Sequence, residues 1–331
     1  LYLDLADAYA ANKKDKQAFE SLKTAFNSSK VEFAEKYRVM FTLLGSVNKM
    51  PLDEMQELAN ILVLKHPRIA DSHVAKGNVL WKRNNLQEAR SMFLTAIGIN
   101  ANHVDAWRML INIELALNEV NDAIQHSLEA LQANPKNPML SYFSGIAYMV
   151  NHDLDNARKM MESALDNSTE ENTYMQSLIY AGLGDLYHEL KMASASDVAY
   201  EEAIRLDSLN ATAMNNLAYY AALRSENLDA AAKHAQRANE LDPNSGTFQD
   251  TYAWVLFKQE KYAEALLWIE KAVKSSDPSS VLFEHYGDIL AKSGKIKEAL
   301  KQWERALADP SLSADQGAKI KEKIAKKAYV E

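Results

Sequence analysis

Residues 177–210, with the sequence SLIYAGLGDLYHELKMASASDVAYEEAIRLDSLN, contain the pattern that decides the fold of this chain. Two small residues, Gly184 and Ser196, are twelve positions apart. Each has aromatic residues three or four positions away, Tyr180 and Tyr187 around Gly184 and Tyr200 after Ser196. Residues at this spacing lie on one face of a helix. The stretch therefore predicts two helices that cross at the two small residues, where their backbones can approach closely.

The same pairing recurs along the whole chain. The pairs are Ala6/Ala18, Gly77/Ala89, Ile111/Ala123, Gly145/Ala157, Gly184/Ser196, Ala218/Ala231, Ala253/Ala265 and Gly287/Ala299; only Ile111 is not small, and only the Ala218 pair is thirteen positions apart. From Ala89 onward the second members follow one another at intervals of 34, 34, 39, 35, 34 and 34 residues. A period near 34 predicts repeated helix–turn–helix units, each of which buries its apolar face only by stacking on its neighbours.

The unit at 177–210 resembles the tetratricopeptide repeat (TPR). Its first helix has the spacing aromatic-x-x-Leu-Gly-x-x-Tyr through Tyr180, Leu183, Gly184 and Tyr187. Its second has small-x-x-x-aromatic-x-x-Ala through Ser196, Tyr200 and Ala203. The resemblance extends over essentially the whole chain. It implies an all-α fold, a right-handed superhelical solenoid of about eight to nine helix pairs with a C-terminal capping helix.

We expect one solenoid over 1–331. Its repeats are a truncated one at about 1–31, a degenerate one at 36–69, and further ones at 70–103, 104–137, 138–176, 177–210, 211–245, 246–279 and 280–312, with a cap at 313–331. The first helices are expected to begin near Ala70, Val104, Pro138, Ser177, Ala211, Gly246 and Ser280. About five extra polar residues at 166–173 predict a longer loop, and 224–227 adds one residue to a turn. The cap is rich in lysine and is expected to be solvated.

Composition excludes several classes of function. The chain has 331 residues, a net charge of −8 and no cysteine. An acidic protein is not expected to bind nucleic acid, because binding to phosphates needs a basic face. No apolar stretch is long enough to span a membrane. There is no phosphate-binding loop, nucleophile elbow or HExxH pair of histidines, so we expect no catalysis, no metal and no cofactor.

The candidate ligand-binding residues follow from the resemblance, which implies that the first helices line a concave surface. The candidates are residues of the first helices that are not needed for packing. They are Asn78, Arg108, Asn112 and Tyr142 in the N-terminal half, and Asp185, Asn215, Asn216, Tyr219, Asp250, Trp254, Glu284 and Asp288 in the C-terminal half. The asparagines could bond the main chain of an extended peptide, as the ladders of some TPR proteins do, or could be merely solvated or bonded within their helices. Tyr219 and Trp254 are candidate anchors, although such aromatics can also be interhelical core. The acidic residues favour a basic or neutral peptide or simply keep the protein soluble.

These observations predict a non-catalytic scaffold that binds a peptide segment or partner protein on its concave face. The alternatives are a structural or assembly subunit that uses its convex face or ends, and a regulatory domain of a larger protein. Residues 215–308 resemble the C-terminal repeats of exported bacterial TPR lipoproteins, which implies an adaptor in the cell envelope, periplasmic or lipid-anchored; the cytoplasm is the alternative. The chain begins at Leu1 inside a helical pattern, which we interpret as a fragment or processed product, with a lipid anchor upstream as one possibility.

Overall fold

A computed structural model describes residues 2–45, 50–274, 279–310 and 312–330. These residues form nineteen α-helices and no strand, which confirms the all-α prediction. The helices are α1 (Tyr2–Ala11), α2 (Asp15–Asn27), α3 (Phe33–Gly45), α4 (Leu52–Lys65), α5 (Ala70–Lys82), α6 (Leu86–Ile99), α7 (Val104–Ala116), α8 (Val120–Ala133), α9 (Pro138–Val150), α10 (Leu154–Asp166), α11 (Thr173–Glu189), α12 (Ala193–Leu206), α13 (Ala211–Arg224), α14 (Leu228–Leu241), α15 (Gly246–Lys258), α16 (Tyr262–Ala272), α17 (Ser280–Lys292), α18 (Ile296–Leu307) and α19 (Ala314–Lys326).

The helices fall into two compact units, 1–168 with α1–α10 and 169–331 with α11–α19. Within each unit, consecutive helices pack as pairs. The odd-numbered helices α1–α17 are the first members of these pairs, and we call the surface that they line the first-helix face. The single solenoid over 1–331 stays a prediction.

The predicted phase of the repeats is confirmed at six of the seven expected starts. Helices begin at Ala70, Val104, Pro138, Ala211, Gly246 and Ser280. The seventh prediction is wrong, because α11 begins at Thr173, four residues before Ser177. The Asn172 side chain accepts a hydrogen bond from the Met175 backbone N–H at 3.1 Å and caps the helix there. Most of the extra residues therefore lengthen the helix, and the loop is shorter than expected.

Four first helices carry a glycine that is covered by a large side chain sixteen residues later. The pairs are Gly77–Phe93, Gly145–Met161, Gly184–Tyr200 and Gly287–Trp303, and the four large side chains are fully buried. A Cβ atom on these glycines would lie 2.8, 2.7, 2.6 and 2.4 Å from the nearest atom of the large side chain. Cβ atoms essentially never approach other heavy atoms closer than 3.0 Å. The glycines are therefore required because an aromatic ring or Met side chain lies directly on the helix backbone.

The thirteen-residue separation of Ala218 and Ala231 is explained by the turn between α13 and α14. Several other turns within pairs have one residue in the left-handed region, for example Asn84 with φ 61° and Lys191 with φ 57°. This turn has two such residues, Ser225 with φ 55° and Asn227 with φ 47°. The added residue is thus absorbed in the turn, and both helices keep their packing positions.

The predicted cap is α19, which follows the last helix pair. Ser313 and Gln316 form a capping box at its N-terminus. Its Ile320 is buried in the same cluster as Trp303 of α18. The expectation that the lysines of the cap are solvated fails at one position, since Lys323 is only 4% exposed.

We expect Gly77→Ala to lower the free energy of unfolding by about 1–3 kcal/mol, because the added methyl group overpacks the contact with the buried Phe93 ring. Gly98 of α6 is a matched control in the same unit, since no atom lies within 4 Å of its Cβ position. Gly98→Ala should be neutral or stabilise by up to about 1 kcal/mol, as expected for alanine in place of glycine in a helix. Urea unfolding followed by circular dichroism measures both, and equal stability of the two variants would contradict the close crossing.

Candidate functional site

The predicted residues of the N-terminal unit lie on three first helices and are all partly buried. They are Asn78 on α5, Arg108 and Asn112 on α7, and Tyr142 on α9. The Arg108 guanidinium lies 3.4 Å from the Asp105 carboxylate of its own helix. The Tyr142 ring packs edge-on against Phe143, with 5.2 Å between centroids.

The N-terminal unit also has a cleft of about 770 Å³, and residues of its first four helices line it. They include Ala6 of α1, Leu22 of α2, Val39 and Leu43 of α3, and Glu54 of α4. None of these residues was among the predicted ligand-binding residues, since this part of the chain was predicted to hold a truncated and a degenerate repeat.

In the C-terminal unit, four predicted residues line one cleft of about 590 Å³. They are Asn215, Asn216 and Tyr219 of α13 and Asp250 of α15. The rest of its lining comes from α13, the α14–α15 turn, α15 and the start of α17, namely Tyr220, Asp242, Asn244, Ser245, Gly246, Thr247, Thr251, Ser279, Val281 and Leu282. None of these residues was among the predicted ligand-binding residues. Pro243, which follows the end of α14, marks the position of the turn in the sequence.

A chain of hydrogen bonds joins the cleft to the preceding repeat. The Asn215 amide donates to Asn216 Oδ1 at 3.1 Å, and the Asn216 amide donates to Asp185 Oδ1 at 3.0 Å. Asp185 also accepts a hydrogen bond from the Tyr200 hydroxyl. Burial raises the pKa of Asp185, although the bonds from Tyr200 and Asn216 oppose this. The cleft asparagines are therefore held in one orientation by their neighbours.

One polar atom of the Asn215 side chain has no hydrogen-bond partner among the described residues. Asn215 is only 4% exposed, and within the described part of the chain its Oδ1 accepts no hydrogen bond. A buried carbonyl oxygen without a donor is unfavourable, by about 1–3 kcal/mol. Asn215 is also a residue of the cleft lining, so the wall of the cleft includes a carboxamide whose oxygen has no donor among the described residues.

Trp254, predicted from the sequence as an anchor, lies instead in the core. It is 6% exposed, and its ring stacks on His285 at 4.0 Å and on Phe257 at 4.8 Å between centroids. His285 Nδ1 lies 2.9 Å from the Asp250 carboxylate. Burial lowers the pKa of His285, but the charge and hydrogen bond of Asp250, together with Asp288, outweigh burial and raise the pKa above its usual value.

Two more predicted acidic residues on α17 already have a cationic partner. Lys323 Nζ of α19 lies 2.6 Å from Glu284 Oε1 and 2.7 Å from Asp288 Oδ2. Asp288 is 1% exposed and also accepts a hydrogen bond from Trp303 Nε1 at 2.9 Å. Burial raises the pKa of Asp288 to about 6, against the opposing effect of Lys323. The acidic face expected from the sequence is thus largely neutralised by residues of the same chain.

Two of these carboxylates follow a packing glycine directly. Asp185 follows Gly184, and Asp288 follows Gly287. In both cases the donor is the large side chain that covers the glycine, Tyr200 O–H or Trp303 N–H. Where the covering residue is Phe93 or Met161, which has no such donor, the residue after the glycine is Asn78 or Ile146. A Gly-Asp sequence with Tyr or Trp sixteen residues after the glycine therefore indicates that the carboxylate has a structural role.

One acidic cluster, Glu114, Glu119 and Asp122, has carboxylates near enough to share a cation. The Arg90 guanidinium binds all three, at 2.9 Å from Glu114, 3.1 Å from Glu119 and 2.9 Å from Asp122. His126 adds a fourth contact, 2.8 Å from Glu114. Glu114 is fully buried, so these partners balance its charge inside the unit.

We expect the stability of the protein to fall as the pH rises above about 6.5, the usual pKa of an unfolded histidine. The raised pKa of folded His285 means that its stabilising charge is fully present below that pH and is lost as the pH rises through the folded pKa. The slope from this one group is at most about 1.4 kcal/mol per pH unit. Urea unfolding between pH 6.5 and 9 should show a smaller slope in His285→Gln and in Asp250→Asn than in wild type. Three equal slopes would contradict a charged pair.

Comparison with known proteins agrees with the repeat architecture. Residues 74–138, 198–246 and 220–281 match a family model described as tetratricopeptide repeat, and residues 178–208 match a second model of the same description. A tetratricopeptide repeat protein from Parabacteroides merdae has a similar structure, with a TM-score of 0.55 at 18% identity over 78% of this chain and 98% of that one. The Cut9–Hcn1 complex of APC/C gives a TM-score of 0.61 at 16% identity over 84% of this chain and 60% of that one.

The human protein O-mannosyl-transferase TMTC3 is 24% identical over 172 residues, which are 52% of this chain and 19% of that protein. The chain thus spans about a fifth of that relative, whose transferase activity is a property of the whole protein. In the part of the chain that the structure describes, every helix is too short or too polar to cross a membrane. Repeats of this kind typically form non-catalytic scaffolds. The family models and the paired helices agree, and the chain is a member of the tetratricopeptide repeat proteins.

Proposed function

We propose that the cleft between α13, α15 and α17 binds an extended peptide segment of a partner protein. The observation that carries the proposal is the Asn215 carboxamide in the cleft wall, whose buried Oδ1 accepts no hydrogen bond from the described residues. A hydrogen-bond donor would complement this oxygen, and the backbone of an extended peptide offers N–H groups at regular spacing. Tetratricopeptide repeats generally mediate protein–protein interactions, which agrees with a peptide rather than a small molecule.

The walls of the cleft suit an apolar side chain of such a peptide. Tyr219 on one wall is partly buried, and Leu282 and Val281 lie on another. Burial, with the charge of Asp250 as a lesser cause, raises the pKa of Tyr219 to about 12. Its hydroxyl is therefore a neutral donor at physiological pH. The ring offers area for packing, and the hydroxyl can bond a peptide carbonyl.

The charges around the cleft favour a neutral or weakly basic segment. Asp250 is balanced by His285, so its charge does little to attract a cation. Asp242 of the cleft lining is exposed, and its carboxylate accepts a hydrogen bond from the Asn244 backbone N–H at 3.3 Å. A net charge of −8 disfavours acidic segments at longer range.

We further propose that the protein acts as an adaptor in a bacterial cell envelope. The support is the resemblance of 215–308 to exported lipoproteins and the lack of cysteine in the chain, which is compatible with an oxidising compartment. Fractionation of cells that express the full gene product with an epitope tag tests the location. Recovery in the cytosolic fraction alone would refute it.

We expect Tyr219→Ala to weaken the binding of a cleft peptide by about 2 kcal/mol or more, roughly thirtyfold, as for an interface hot spot. The probes are twelve-residue peptides selected by phage display on the wild-type protein, then synthesised with a fluorophore and titrated by fluorescence anisotropy. Tyr174→Ala is the matched control, because Tyr174 is 62% exposed on α11 and away from the cleft. Thermal melts establish that both variants are folded. Equal affinity of the two variants for every selected peptide would exclude the cleft as the site.

A further inference from the structure

The C-terminal segment contacts the first-helix face beyond the helix that it caps. Five lysines occur between 319 and 327, and four of them are exposed. Lys323 alone is buried, and both its carboxylate partners, Glu284 and Asp288, are on α17. After α19 the chain turns at Lys327, which has a positive φ of 52°. The turn returns the following residues to the repeats.

Tyr329 extends this contact one repeat further. Its ring packs edge-on against Phe257 of α15, with 5.2 Å between centroids. Lys323 Nζ and Lys292 Nζ lie 5.6 and 5.3 Å from the centre of the same ring. Phe257 is in turn stacked on Trp254 in the core of the unit. Tyr329 therefore covers an aromatic surface that belongs to an earlier repeat.

Capping alone does not require these contacts. The apolar face of the last pair is covered by Ile320, with Leu312 and Ile324 beside it. An exposed lysine at 323 and a solvated tail would serve that purpose equally well. A buried ammonium group is instead costly unless it is paired and bonded. The two carboxylates on α17 and the ring on α15 thus have the properties of a binding site for a lysine and an aromatic side chain.

We propose that Glu284, Asp288 and Phe257 form a recognition site for a partner segment that carries a lysine in the last turn of a helix and, six residues later and beyond the end of that helix, an aromatic residue. The chain's own segment from Ala314 to Val330 fills the site as an internal ligand. A partner segment of the same chemistry competes with it, so the occupied site is the closed state. This site is adjacent to the α13–α15–α17 cleft, and its occupant does not depend on whether the cleft binds a peptide.

The test uses a fluorescein-labelled synthetic peptide of residues 314–330 and the full-length protein. In wild type the site is filled, so the peptide should bind weakly. The Lys323→Ala, Tyr329→Ala double variant lacks the two side chains by which the internal segment fills the site, so the peptide should displace that segment more readily and bind at least tenfold more tightly by anisotropy. A second peptide, with Ala in place of Lys323 and Tyr329, should not bind the double variant more tightly than wild type. The matched control is Lys321→Ala, Lys326→Ala, which changes two exposed lysines of the same helix and should behave as wild type.

Equal peptide affinity of the double variant and wild type, or equal affinity of the two peptides for the double variant, would overturn the proposal. Loss of Lys323 leaves the buried Asp288 and the partly buried Glu284 without their cation, and the double variant could fail to fold. The single variant Tyr329→Ala keeps the ion pairs and the cap and provides the second measurement. It should bind the peptide about threefold more tightly than wild type, and an unchanged affinity would likewise overturn the proposal.

Discussion

The close crossing of the two helices in a pair is the constraint on which the rest of the structure depends. A large side chain of the second helix lies directly on a glycine of the first, as Trp303 lies on Gly287. This contact fixes the separation and rotation of the helices and therefore which side chains reach the first-helix face. The contact also determines whether the residue after the glycine is hydrogen-bonded within the helix pair. When the covering ring has a donor, as in Tyr200 and Trp303, the neighbouring carboxylate is bonded and withdrawn from solvent.

The phase of the repeats could be predicted from the sequence because it is set by steric limits that act within a single unit. Small residues at the crossing permit few alternatives, and proline at 135 or 243 marks where a second helix ends. The start of α11 was missed because extra polar residues were taken as loop. Asn172 can cap a helix as well as occupy a turn, and the buried Met175 and Ile179 favour the longer helix.

The candidate site was predicted only in part, for a different physical reason. Asn215, Asn216, Tyr219 and Asp250 converge on one cleft because helical periodicity groups the first three on α13 and the regular repeat packs α15, with Asp250, against α13. The burial of Trp254 and Asp288 depends on residues far along the chain, His285 for the first and Lys323 for the second. Spacing within one repeat carries no information about such partners. The charge of a repeat surface can therefore be predicted only when the three-dimensional neighbours of each residue are known.

The position of Lys323 after its partners in the chain has a consequence for the order in which the protein is made. Synthesis proceeds from the N-terminus, so Glu284 and Asp288 emerge well before the cation that they bind, which lies 39 and 35 residues later. Until Lys323 is present, the two carboxylates must stay hydrated, and α17 cannot reach its final packed position. The C-terminal unit thus completes its charge balance only after α19 has been synthesised. A nascent chain that stalls short of Lys323 presents unpaired acidic groups to the quality-control machinery of the cell.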